Sequence, residues 1–145
     1  MDATRIPVVL VLEPDTAACE VLTLCLQDAG LHAEPVATAQ AALLAIRRQA
    51  PDLLLTNLRL PDAPALTLLA DLRQQPKLTE TPFVVLTDQP ASLSVDQTAQ
   101  LRIDQIIAKP FSPRAVVRTV QDLIAGQLRS TQPDPSSGFT PPHAA

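Results

Sequence analysis

Five short apolar runs, each followed by a helical pattern, constrain this chain more than any other feature. Val8–Leu12 is a continuous Val/Leu run and reads as a strand buried on both faces. Glu13-Pro14-Asp15 ends it. Asp15 or Thr16 then caps a helix to about Ala29, and Gly30 stands where a terminating glycine belongs. Leu31–Val36 is a weaker strand, which Pro35 assigns to a sheet edge. Thr38 caps a second helix to about Gln49. Pro51–Thr56 is the third strand, and Asp62 caps a third helix to about Gln74. Phe83–Leu86, opened by Pro82, is the fourth strand, with a short helix near Val95–Leu101. Ile103–Ala108 is the fifth strand. Ser112-Pro113 opens the last helix and Gly126 ends it. Strand–helix alternation repeated five times implies one doubly wound five-stranded parallel sheet, with the first and last helices sharing one face.

The chain's 145 residues make one domain, read as 1–126, followed by a Pro/Ser-rich flexible tail at 127–145. The longest apolar run is far too short to span a bilayer, and no basic segment precedes a leader-like stretch. A cytoplasmic location without membrane association is therefore expected. Three Phe, no Trp and no Tyr provide no platform for stacking bases. Eleven dispersed basic residues against fifteen acidic ones give a net charge of −4, which argues against a nucleic-acid partner. Cys19 and Cys25 lie six apart on the first helix and point about 120° away from each other. They cannot form a disulfide there and read as buried thiols.

In open α/β sheets ligands sit beyond the carboxyl ends of the strands. The residues leaving the strands are Glu13, Pro14 and Asp15, then Thr56 and Asn57, then Thr87 and Asp88, then Lys109-Pro110-Phe111. An acidic cluster, an amide, a hydroxyl and an ammonium converge there.

With VVLVLEPD, PDLLLTNLRLPD, TPFVVLTD and IIAKPFSP in this order, the chain resembles the response regulator receiver domains, the CheY-like family, over about Pro7–Gly126. The resemblance implies a flavodoxin-like (βα)5 fold. In that family an Asp leaving the third strand accepts a phosphoryl group from a histidine kinase. Two acids after the first strand join it in holding Mg²⁺, and a Thr or Ser and a Lys contact the phosphoryl oxygens. Here Thr87 matches the switch hydroxyl, Lys109 the lysine and Glu13 the first acid. Pro14 falls on the second acid, Asn57 on the phosphoacceptor and Ile106 on the usual switch aromatic. Ala65 and Arg102 replace loop glycines.

These departures remove the chemistry. An acyl phosphate needs a carboxylate nucleophile, which an amide does not supply. With two of three acidic positions lost, Mg²⁺ binding is expected to be weak or absent. No metal site, other cofactor or catalytic residue is expected, so the chain reads as an atypical, pseudo-receiver type. Lys109 is expected to tie Asn57 to Glu13 or to act in ligand binding. Asp88 either meets Lys109 as a mimic of the phosphoryl anion or stays a solvated loop acid. Output would run through protein contact in a signalling pathway, with a histidine kinase, an output protein or a second copy. The family's face of helix four, strand five and helix five carries such contacts. Asp104, Arg114 and Arg118 lie on it here, and Arg118 could meet Asp104 across a two-fold axis. Two rivals stand: a receiver phosphorylated at a neighbouring Asp (Asp15 or Asp62), and a flavodoxin-like ligand binder. The second lacks a Gly/Ser/Thr-rich phosphate cradle.

Overall fold

The computed structural model describes residues 5–131. Five parallel strands form one sheet in the order β2-β1-β3-β4-β5. The strands are β1 (Val8–Leu12), β2 (His32–Val36), β3 (Leu53–Asn57), β4 (Phe83–Thr87) and β5 (Gln105–Ala108). The helices are α1 (Thr16–Asp28), α2 (Ala39–Arg48), α3 (Ala65–Arg73), α4 (Val95–Leu101) and α5 (Pro113–Thr131). Single 3-10 turns at Pro76–Leu78 and Pro90–Ser92 complete the connections.

Alternation along the central strands divides the core in two. Val9, Val11, Leu53, Leu55, Val84 and Leu86 face α1 and α5, meeting Leu22, Leu26, Val116 and Val120. Leu10, Leu12, Leu54, Phe83 and Val85 face the other way, onto Leu68, Leu69 and Leu72 of α3 and the alanines of α2. All five residues of β1 are buried, as a strand covered by helices on both sides requires. β2 is an edge strand, and Pro35 sits in it opposite Val11.

Local chemistry explains most boundaries. The Asp15 carboxylate accepts from the Ala18 N–H and the Thr38 hydroxyl from the Ala41 N–H. Gly30 adopts φ +88°. There its N–H donates to Gln27 O and that of Leu31 to Leu26 O, which closes α1. Three expectations fail. Asp62 does not cap α3, which starts after Pro64 without a side-chain cap. Its carboxylate instead accepts from the Ala39 and Gln40 N–H groups, so Thr38 and Asp62 together cap α2. Those two N–H bonds hold the Asp62 carboxyl below its ordinary range. Gly126 does not end α5. The helix continues to Thr131, because one glycine weakens a helix without terminating it. The fifth strand starts at Gln105 rather than Ile103. The Ile103 N–H still serves α4, bonding Thr98 O, and Asp104 exchanges bonds with the Phe83 backbone. Of the expected tail, Gln127–Thr131 belong to α5, and residues 132–145 lie outside the described ones. Cys19 and Cys25 are free and only half-buried. Burial is the main reason the Cys19 thiol is pushed up, in the direction of lower reactivity.

Two charged groups inside the fold carry more than their positions suggest. Asp52, just before β3, takes both terminal nitrogens of Arg5 (2.8 and 2.6 Å) and the Val8 N–H (2.7 Å). Desolvation alone would raise its carboxyl. The hydrogen bonds from Arg5 and Val8 and the Arg5 charge outweigh that and hold it below the ordinary value. A carboxyl depressed by folding contributes stability above its unfolded pKa, and the contribution fades as pH falls through the folded value. Asp52→Asn is therefore expected to destabilise at neutral pH, with the gap to the parent chain narrowing as pH falls below the ordinary aspartate value of about 3.9. Urea midpoints measured from pH 7 to pH 2.5 check this, and a pH-independent gap would contradict it.

The second group is Arg73, the last residue of α3. Only 7% of its side chain is exposed. Its guanidinium donates to Leu78 O (2.7 Å), Thr81 O (2.8 Å), Leu101 O (2.9 Å) and Arg102 O (2.8 Å). It also stacks 3.6 Å from the centroid of the Phe83 ring. Burial, then repulsion from Arg102, lowers its pKa from the usual arginine value. Arginine remains charged under such conditions, because its reference pKa lies so far above neutrality.

Candidate functional site

The ladders bring the strand ends level. Leu12 pairs with Thr56, Asn57 with Leu86, and Thr87 with Ala108. The next residues therefore leave the sheet on one rim, the position of the ligand crevice in open α/β sheets.

Glu13 is the centre of this rim and is only 2% exposed. A carboxylate buried to that degree requires paired donors. Oε1 accepts from Lys109 Nζ at 2.7 Å, and Oε2 accepts from the Asp15 N–H at 3.0 Å. The strand topology creates the pair: Lys109 leaves β5 and Glu13 leaves β1, ninety-six positions apart in sequence. The Lys109 N–H donates to Thr87 O, which fixes where the lysine departs. The Lys109–Pro110 peptide is cis. Thr87 is buried, and its hydroxyl accepts from the Gln89 N–H.

Asn57, the last residue of β3, directs its amide nitrogen onto its own loop. Nδ2 donates to Arg59 O at 2.6 Å and stiffens the β3–α3 loop. The expectation that Lys109 ties Asn57 to Glu13 thus needs correcting: Lys109 reaches Glu13, and Asn57 serves its own loop. Asp88 does not meet Lys109 either. It lines a groove of about 550 Å³ with Asp15, Ala18, Lys109, Pro110 and Phe111. Its carboxylate makes no hydrogen bond or ion pair among the described residues. The contact that a phosphoryl mimic requires is already taken by Glu13. Ile106 is half-buried on β5 and packs against the α2–α3 side of the core.

The residues present do not suit the Mg²⁺ that the fold family implies. Mg²⁺ demands oxygen ligands in near-octahedral geometry and usually keeps several waters. Pro14 offers no side-chain oxygen, Asn57 offers a neutral amide oxygen in place of a carboxylate, and both Glu13 oxygens are occupied by protein donors. Among the described residues no three His, Cys, Asp or Glu side chains gather as a metal would need.

On the adjacent face, Arg114 and Arg118 are exposed on α5. Asp104 is partly engaged within the chain: Oδ2 accepts from the Phe83 N–H at 2.9 Å and lies 3.9 Å from Arg73. No described helix is long and apolar enough to cross a membrane. Sequence reasoning missed Arg73, Asp52 and the cross-loop cap by Asp62. Asp62 left a trace as a cap, assigned to the wrong helix, and Arg73 left one because it lies four residues after Leu69, on the apolar stripe of α3.

A parallel sheet of this strand order, with an acid, a hydroxyl and a lysine on its carboxyl rim, defines a receiver-type domain. The family model for the response regulator receiver domain matches residues 9–121. The chain belongs to that family and is a receiver domain of two-component signalling. It is 28% identical over 128 residues to the DNA-binding response regulator MtrA of Mycolicibacterium smegmatis, covering 88% of this chain and 53% of that one. It thus spans about half the length of the MtrA relatives it matches. A crystal structure of a putative response regulator from Chloroflexus aurantiacus superposes with a TM-score of 0.75 at 28% identity, covering 83% of this chain and 99% of that one. Chemotaxis response regulator CheY4 of Vibrio cholerae gives 0.76 at 21%, covering 82% and 99%, a likeness of fold.

Proposed function

We propose that this receiver domain works by protein–protein contact without phosphotransfer. The observation that carries this is the Glu13–Lys109 ion pair at 2.7 Å, with the Asn57 amide turned onto Arg59 O. In the family those positions serve a metal and a phosphoryl group. Here the acid and the lysine satisfy each other, and the third-strand residue has no nucleophilic oxygen. Mg²⁺ binding is accordingly weak or absent. The partner is a protein of a signalling pathway, a kinase, an output protein or a second copy, docking on the face of α4, β5 and α5. Arg114 and Arg118 provide exposed positive charge there.

The rival acceptors have other work. The Asp15 carboxylate caps α1, and both oxygens of Asp62 are held at the start of α2. The test is incubation with a small phosphodonor and Mg²⁺, read by intact mass. Asn57→Asp alone is expected to gain no phosphoryl mass, because Pro14 still withholds a ligand. Asn57→Asp with Pro14→Asp is expected to gain it. Ready phosphorylation of the single variant would mean that only the acceptor was missing.

A further inference from the structure

α4 is seven residues long and has no buried side chain. Val95 at its start is 84% exposed. Within α4 Leu101, at its end, packs on the core, and Leu93 and Ile103 are buried just outside it, so the position of the helix depends on its ends. At the N-terminus Ser94 and Gln97 form a capping box, and Leu93 just before it is buried in the core, so that end is held by apolar contact. At the C-terminus Arg102 adopts φ 52°, ψ 49°, a left-handed conformation that residues with a Cβ rarely enter. The Arg102 N–H closes the turn on Ala99 O and the Ile103 N–H on Thr98 O. The carbonyls of Leu101 and Arg102 accept from Arg73 Nε (2.9 Å) and Nη2 (2.8 Å), while Nη1 of the same guanidinium holds Leu78 O and Thr81 O ahead of β4.

We propose that Arg73 is a latch: one buried guanidinium on α3 seats the C-terminal end of α4 and its turn into β5, and thereby positions the α4 surface. The latch lies at the amino end of β4 and β5, opposite the rim where Glu13 and Lys109 meet. The face is thus positioned by a residue that touches neither the strand-end pocket nor its ligands, whether or not that pocket is phosphorylated. Arg73 is a positioning residue, and release of its bonds frees α4 before the sheet opens.

Residue-resolved hydrogen exchange on the whole chain tests this, comparing the parent with Arg73→Met, which keeps a stem against Phe83, and with Arg73→Lys. The amides of Thr98, Arg102 and Ile103 close α4 and its turn. In Arg73→Met they are expected to exchange about tenfold faster than any acceleration seen at Leu10, Leu54 and Leu55. Arg73→Lys keeps the charge but not the planar fork, so it is expected to restore part of the protection. A common factor at all these amides, or no change in α4, would overturn the latch. Should Arg73→Met not fold, the same selective pattern in Arg73→Lys decides.

Discussion

Arg73→Ala is expected to lower the free energy of unfolding by about 3–4 kcal/mol and the thermal midpoint by roughly 10 °C. The substitution leaves the carbonyls of Leu78, Thr81, Leu101 and Arg102 without their charged donor. The three part-buried carbonyls, of Leu78, Thr81 and Leu101, cost about 1 kcal/mol each where water cannot replace the donor, while the bond to Arg102 O is exposed. The cation stacked on Phe83 is lost too, worth about 1 kcal/mol in a desolvated setting. A domain of this size is stable by only about 5–15 kcal/mol, so the variant should be visibly compromised. Urea unfolding followed by circular dichroism measures it. A loss below about 1 kcal/mol would mean that water reaches the carbonyls freely.

Lys109→Met carries the second large effect, about 2–3 kcal/mol of destabilisation. It strands the Glu13 carboxylate in a buried site with the Asp15 N–H as its remaining donor. Breaking a fully buried pair costs about 3–5 kcal/mol, and the partial exposure of Lys109 places this one lower. Glu13→Gln removes the charge that would be stranded. The double variant Glu13→Gln with Lys109→Met should therefore lose less than the two single losses added, with a coupling of about 1–3 kcal/mol. Additivity within about 0.5 kcal/mol would show that the two side chains act independently and that the tie across the rim is weak.

The parts of this molecule legible from sequence are those whose cause is local. A doubly covered strand announces itself as a run such as Val8–Leu12, and a left-handed helix end announces itself as Gly30. The expected sheet and the shared face of α1 and α5 follow from such features and match the solved relatives. Most of what was not legible depends on partners distant in sequence. Asp62 obeys the local rule for a cap, yet finds better-aimed N–H groups twenty-three residues back at Ala39. Gly126 looks like a stop, but good helix formers follow it and α5 continues. At the rim, sequence order placed Glu13, Asn57, Thr87 and Lys109 together without saying which would bond. Lys109 had two acids and an amide within plausible reach, and burial decided for Glu13, the group that most needs a counter-charge.

The central claim is that the strand-end pocket is satisfied internally and accepts no phosphoryl group. Intact mass of the unmodified chain after incubation with a small phosphodonor and millimolar Mg²⁺ tests it most directly. The account predicts an unchanged mass. A gain of one phosphoryl group, mapped by peptide analysis to Asp15, Asp62, Asp88 or any other residue around that rim, would contradict it.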